Sequence, residues 1–211
     1  MHLFTGFIIS RQWRDTNSGL LLRFWLHTKN GPLLIEQTCQ EGIFFIEEKN
    51  LNKALLLTKN YLLRSKPLQL KSFSQEPVIG FYFNSQRKLR TAANVLKSNH
   101  IVPLEADIRT VDRYLMERFI TSSLSVSAET IKSHNHYQHI VNGRCKQTYF
   151  EHNFRVISFD IETNYKNNTL LSIAVYSDEL QRVFIVGQQP TESLKLDHCA
   201  YFTDEKSLLI T

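Results

Sequence analysis

Two carboxylates at the end of one apolar stretch are the residues of this 211-residue sequence best suited to chemistry. Residues 155–163 read Arg-Val-Ile-Ser-Phe-Asp-Ile-Glu-Thr, and their β-branched and aromatic content predicts a buried strand. Alternate side chains of a strand point to the same face, so Asp160 and Glu162 share one face. Mg²⁺ prefers carboxylate oxygens, and phosphodiester hydrolysis commonly uses a pair of such ions. The pattern indicates a candidate metal-dependent catalytic site.

The alternative is a strand that ends at the surface with two solvated acids. Two further strands favour the catalytic interpretation: residues 170–176 and 182–186 are strand-like runs separated by a polar turn. Three consecutive strands with acids leaving the first are typical of the beginning of a ribonuclease-H-like nuclease domain.

Composition fits a soluble globular protein, with 42% hydrophobic and 21% charged residues. No apolar run is long enough for a membrane span, so we expect no membrane association. Cys39, Cys145 and Cys199 are far apart, which argues against a disulfide framework or a zinc ribbon. Their spacing favours a reducing cytoplasm.

Charge divides the chain into two parts. Residues 151–211 contain five Lys/Arg and nine Asp/Glu, whereas residues 1–150 contain 20 and 11, so the net charges are −4 and +9. A basic part suggests contact with a polyanion, and an acidic part suggests metal binding. The pattern suggests two modules, at residues 1–150 and 151–211, and the alternative is a chance distribution of solvated charges.

The first domain is predicted to be α+β. Strands at 3–10, 20–28 and 32–37 form a small antiparallel unit, in which Trp13 and Trp25 are expected to pack rather than to stack on bases. A strand at 43–46, a helix at 50–63, strands at 67–73 and 77–83, a helix at 85–97 and a strand at 101–104 follow. This β-α-β-β-α-β order is ferredoxin-like and is shared by RNA-recognition modules.

Residues 51–104 are strongly basic, with nine Lys/Arg against the single acid Glu76. Arg87, Lys88 and Arg90 lie together on the second predicted helix and are candidate contacts for nucleic-acid phosphates. Phe81 and Phe83 share one face of their strand. Since Phe is usually buried, we expect both in the core rather than against bases.

The segment that joins the two domains has two features of note. Residues 106–120 are predicted to be a helix with charges of alternating sign, followed by short strands over 121–150. His134, His136 and His139 lie close in sequence, but no nearby Cys or acid completes a zinc ligand set. We therefore expect an exposed loop there.

Several separated motifs resemble those of family-B DNA polymerases, and they are most similar to those of the bacterial members of that family. Residues 159–163, Phe-Asp-Ile-Glu-Thr, resemble the first exonuclease motif of that family. The amino-terminal resemblance rests on Trp-Arg-Asp-Thr at 13–16, Phe-Trp-Leu at 24–26, Asn-Gly-Pro-Leu at 30–33 and Arg-Tyr-Leu-Met-Glu-Arg-Phe-Ile-Thr-Ser at 113–122. Together these motifs cover essentially the whole chain in the right order.

The resemblance implies template-directed DNA synthesis with 3′→5′ proofreading, in replication and repair. It implies an amino-terminal polymerase domain over 1–150, which lines the template path, and the truncated start of a ribonuclease-H-like 3′→5′ exonuclease domain over 151–211. In that second domain Asp160 and Glu162 would ligate a pair of Mg²⁺ ions. The implied partners are template and primer DNA, deoxynucleotides and replication accessory proteins, in a bacterial cytoplasm close to the nucleoid.

Later family motifs, which supply further exonuclease acids and the polymerase site, do not occur in the sequence. We therefore expect an amino-terminal fragment of a larger enzyme, inactive by itself. One alternative is a stand-alone module that binds single-stranded nucleic acid through the β-α-β-β-α-β unit. Another is an independent small nuclease, which is disfavoured because few acids follow the first strand.

Overall fold

The computed structural model describes residues 1–189 and 197–210. Contacts divide the chain into two compact units, Met1–Glu151 and His152–Thr211. The first unit contains two sheets and three α-helices, and the second contains one sheet and one α-helix among the described residues.

The elements of the first unit follow one another with short connections. In chain order they are β1 (His2–Thr16), β2 (Gly19–Thr28), β3 (Gly31–Gln40), β4 (Gly42–Glu47), a 3-10 helix (Glu48–Asn50), α1 (Leu51–Thr58), β5 (Arg64–Lys71), β6 (Pro77–Phe83), α2 (Gln86–Ser98), α3 (Thr110–Met116), β7 (Ser123–Ala128), β8 (Lys132–Ser133), β9 (Gln138–Val141) and β10 (Arg144–Gln147).

The larger sheet has seven strands in the order β10-β7-β1-β2-β3-β9-β8. The predicted opening strands are confirmed, and β1 to β3 pair as antiparallel neighbours. One face carries a core built from alternate residues such as Leu22, Phe24 and Leu26, and from Val111 and Tyr114 of α3. Burying this apolar stripe is the main stabilising contribution of the sheet.

The smaller sheet confirms the predicted ferredoxin-like order. Its strands run β4-β6-β5, and α1 and α2 follow at the expected places in the chain. The predicted last strand at 101–104 is reduced to one bridge, in which Leu104 pairs antiparallel with Phe45. This bridge lies at the position where a ferredoxin-like sheet carries its fourth strand. Phe81 and Phe83 are fully buried against Phe44, as expected.

Two of the predicted helices are shorter in the structure. The first ends at Thr58 rather than at 63, and α3 occupies only Thr110–Met116 of the expected 106–120. Glu105 and Phe119 have φ values of 57° and 55°, which are left-handed and incompatible with a continuous helix. The alternating charges of residues 106–120 predicted a solvated face, and on it Arg109 and Asp112 form an ion pair.

The second unit is a four-stranded sheet in the order β11-β12-β13-β14. Its elements are β11 (Ser158–Thr163), β12 (Leu170–Tyr176), β13 (Gln181–Val186), β14 (Cys199–Phe202) and α4 (Glu205–Leu209). The first three strands are antiparallel, and β14 is parallel to β13. Asp204 caps α4 by accepting a hydrogen bond from the Ser207 backbone N–H at 2.9 Å.

Across the described part of the chain, the structure has no helix long and apolar enough to cross a membrane.

Candidate metal and nucleic-acid sites

Asp160 and Glu162 lie on β11, which is an edge strand. Asp160 is opposite Ala174 and Glu162 is opposite Ser172 on β12, so alternation places both carboxylates on one face of the sheet. The register shifts between Glu162 and Thr163, which marks a bulge at the exit of the strand. Bulges commonly re-aim side chains next to functional sites.

The prediction that this strand is buried was wrong. Every residue of β11 is exposed, and Phe159 and Ile161 are 68% and 49% accessible. The reason is topological: among the described strands β11 pairs only with β12, and α4 packs against β13 and β14. An apolar sequence specifies that a strand can be buried, but a covering layer must be present for burial to occur.

The two carboxylates have the hard oxygen donors that Mg²⁺ prefers, but they are too few to enclose it. Among the described residues, no group of three or more His, Cys, Asp or Glu is placed to hold a metal ion. A shallow depression of about 390 Å³ lies beside Asp160, and its other lining side chains include Phe159, Arg182 and His198. The donor chemistry therefore fits a magnesium site, whereas the number of ligands does not complete one.

Arg87, Lys88 and Arg90 are exposed on the first turns of α2. Ser85 caps the helix, because its Oγ accepts a hydrogen bond from the Lys88 backbone N–H at 3.2 Å. The side chain of Arg90 lies over the Trp13 ring, with its guanidinium carbon 5.5 Å from the ring centre. Arg90 is therefore partly engaged within the protein, which sequence reasoning did not anticipate.

The carboxylate of Asp15, near the end of β1, lies at the start of α2. The Asp15 oxygens accept hydrogen bonds from Ser85 Oγ at 2.8 Å, the Gln86 backbone N–H at 2.8 Å and the Arg87 backbone N–H at 3.2 Å. Asp15 thus joins the two sheets of the first unit and occupies the helix end that would otherwise attract an anion.

The nine cations of residues 51–104 are spread over several elements rather than gathered in one patch. They lie on α1 and its end, on β5 and on α2. Arg64 pairs with Glu41 and lies over the Tyr82 ring at 3.6 Å, and Lys53 donates a hydrogen bond to the Asn99 carbonyl at 3.1 Å. These contacts leave the exposed start of α2 as the local group of neighbouring cations.

The histidine segment is only partly the exposed loop that was expected. His139 lies on β9 with 15% of its side chain accessible, and its Nε2 is 3.1 Å from Glu36 Oε2. His134 stacks on Tyr137 with ring centres 4.5 Å apart. Glu36 is the nearby acid that sequence reasoning missed, because it lies on β3, about a hundred positions earlier. The pairing of β3 with β9 brings Glu36 and His139 together.

The fold has a match among solved structures. The structure is similar to that of the family B DNA polymerase from the hyperthermophilic archaeon Pyrobaculum calidifontis, with a TM-score of 0.59, 13% identity, and coverage of 92% of this chain and 28% of the archaeal chain. The sheets and helices described above therefore have the fold of a family B polymerase region.

Sequence comparison finds similarity to one kind of DNA polymerase. Residues 6–41 match the family model of the DNA polymerase II amino-terminal domain, and residues 43–101 match that of its insertion domain. The chain is 35% identical over 194 residues to DNA polymerase II of Escherichia coli (strain K12), which covers 91% of this chain and 24% of the relative. The chain is homologous to the amino-terminal part of DNA polymerase II.

Proposed function

We propose that residues 1–211 act as the amino-terminal part of a DNA-directed DNA polymerase that proofreads by 3′→5′ exonuclease chemistry. In this proposal residues 1–150 form the amino-terminal domain and residues 151–211 open the exonuclease domain. The observation that carries the proposal is the pair Asp160 and Glu162, which share a face beside a strand bulge in a chain homologous to DNA polymerase II.

The proposed role of Asp160 and Glu162 is to ligate Mg²⁺ ions, which would activate the attacking water and stabilise the leaving oxygen. The fold of this chain sets the spacing between the two carboxylates. Two carboxylates on alternate residues of one strand lie about 7 Å apart at the Cα atoms, from a rise of about 3.4 Å per residue. Each can therefore approach a different ion of a pair, with further ligands coming from other elements.

The proposed partners are template and primer DNA and deoxynucleotides, with replication accessory proteins, in replication and repair. The proposed location is the bacterial cytoplasm at the nucleoid. The stand-alone binding module is not favoured, because homology to DNA polymerase II extends over 91% of the chain, well beyond the ferredoxin-like unit.

The test replaces the homologous segment of E. coli DNA polymerase II with this chain. Asp160→Ala combined with Glu162→Ala should abolish nucleotide release from a single-stranded 3′ end, while primer extension by the same chimera continues. The purified 211-residue chain should release no nucleotides, because two carboxylates cannot hold an ion pair alone. A double variant that degrades 3′ ends at the rate of the unmodified chimera would contradict the assignment.

We further propose that Arg87, Lys88 and Arg90 contact DNA phosphates. The supporting observation is their exposure near the amino-terminal end of α2. Because Arg90 also packs on Trp13, the informative variant is Arg87→Ala with Lys88→Ala. This variant should make the salt dependence of single-stranded DNA binding shallower by about 1.4 in log–log slope, at about 0.7 per lost phosphate contact. An unchanged slope would remove these residues from the DNA interface.

A further inference from the structure

The seven-stranded sheet has a second face, which strand register defines. Residues directly opposite each other on paired strands point to the same side. Leu22, Phe24 and Leu26 of β2 point into the core, so the intervening residues Arg23 and Trp25 point to the other side. We use the name outer sheet face for this side.

Register then assigns the charged residues of the neighbouring strands. Arg14 is opposite Leu21 on the outer side, Arg144 and Lys146 are opposite Ser127 and Ser125, and Lys132 is opposite His139. Among the strand residues of this sheet that the structure describes, the cations of the outer sheet face are Arg14, Arg23, Lys132, Arg144 and Lys146, whereas Glu36 is its acid.

The single acid is already compensated. Glu36 accepts a hydrogen bond from Arg23 Nε at 2.6 Å and contacts His139 on its other oxygen. Within the described residues, Arg14, Lys132, Arg144 and Lys146 form no ion pair, and all four are exposed. The outer sheet face therefore presents uncompensated positive charge, which is complementary to a polyanion.

The remaining side chains suit a flexible strand better than a duplex. Small hydroxyl residues, among them Thr5, Ser125 and Ser127, surround the β10 cations and can donate hydrogen bonds to phosphate oxygens. Trp25 and Tyr137 form an edge-to-face pair with ring centres 5.0 Å apart, and both are half-buried. Aromatic rings interleaved with cations on a sheet are the usual platform for unpaired bases.

We propose that the outer sheet face binds single-stranded DNA. Arg144, Lys146, Lys132 and Arg14 contact the phosphates, and Trp25 stacks on a base. These residues are different from those proposed at the start of α2. The choice of DNA rather than RNA rests on the proposed polymerase function, whereas the charge and the aromatic pair do not depend on it.

The experiment measures binding of the 211-residue chain to a fluorescent oligothymidylate by anisotropy over a series of salt concentrations. Arg144→Ala with Lys146→Ala should make the log–log slope shallower by about 1.4, from about 0.7 for each lost phosphate contact. The matched control is Lys59→Ala with Lys97→Ala, which removes two exposed charges from helix ends elsewhere in the same unit and should leave the slope unchanged.

A second readout is specific to stacking. In a Trp13→Phe background Trp25 is the remaining tryptophan, and its fluorescence should be quenched when the oligonucleotide binds. Replacing Trp25 by Leu should weaken binding about tenfold, which corresponds to a stacking contribution of about 1.4 kcal/mol. Circular dichroism of each variant verifies that the sheet is retained.

Three results would overturn the proposal: equal slopes for the two double variants, an absence of Trp25 quenching on binding, or tighter binding of oligouridylate than of oligothymidylate. None of these results bears on Asp160 and Glu162, because the chimera reports their role through nucleotide release. Failure of the outer sheet face and failure of the proposed polymerase function are therefore distinguishable.

Discussion

Replacing Asp15 by Ala should destabilise the first unit. The carboxylate accepts hydrogen bonds from Ser85 Oγ and from the backbone N–H groups of Gln86 and Arg87. It thus links β1 of the large sheet to α2 of the small one, and it lies at the positive end of the α2 dipole.

The magnitude follows from the contacts that are lost. Removing an acceptor from a helix start costs about 0.5–2 kcal/mol, and removing a negative charge there costs about 0.3–1 kcal/mol. Ser85 retains its own capping bond to Lys88, which limits the damage. We expect a loss of about 2 kcal/mol in the free energy of unfolding, or about 1 M in the urea midpoint for an m-value near 2 kcal/mol/M.

Tryptophan fluorescence provides a selective assay. The chain has two tryptophans, Trp13 and Trp25, and both belong to the first unit, so a urea titration reports the unfolding of that unit alone. Asp15→Asn keeps one acceptor oxygen and should lose about half as much. The control is Asp107→Ala, an exposed acid expected to change stability by less than about 0.5 kcal/mol. Equal midpoints for the Asp15→Ala and Asp107→Ala variants would refute the reasoning.

Two further predictions concern the cores of the first unit. Burial raises the pKa of Tyr114 and of Cys145, so their contribution to stability is complete below the ordinary pKa values of about 10 and 8.5. That contribution is lost as pH rises above these values. Tyr114→Phe should flatten this alkaline loss in urea titrations, whereas Tyr149→Phe, at an exposed position, should not. Phe83→Ala should cost about 3–5 kcal/mol, because Phe83 is fully buried against Phe44, whereas Phe73→Ala should cost less than about 0.5 kcal/mol; comparable losses would contradict the burial assignment.

Strands and their order were the part of the fold that the sequence predicted best. The Asn30-Gly31 signal and the alternating residues of β2 and β3 are local, and the structure has the hairpin where they indicate it. The ferredoxin-like order also follows from local periods, since a switch from period 2 to period 3.6 marks each helix. Its last strand was overpredicted, because four apolar residues do not reveal that only Leu104 finds a partner.

Helix ends and burial depend on information that lies outside the segment. The pattern at 106–120 is helical in period, yet the extended backbone of Arg109 and the left-handed backbone of Phe119 confine the helix to Thr110–Met116. The segment containing β11 has the composition of a buried strand, yet its position at the sheet edge leaves Phe159 exposed. Composition sets what burial would contribute, and topology decides whether it takes place.

The two proposed nucleic-acid surfaces differ in how far the sequence alone indicates them. Arg87, Lys88 and Arg90 are adjacent in sequence, so a count of charges along the chain detects them. The cations of the outer sheet face come from β1, β2, β8 and β10, and only strand register places them on one side. The net charge of +9 in residues 1–150 indicated a polyanion partner without indicating where it binds. Arg90 packs on Trp13 and Asp15 occupies the start of α2, whereas four cations of the outer sheet face form no ion pair within the described residues. The outer sheet face therefore offers the larger uncompensated charge.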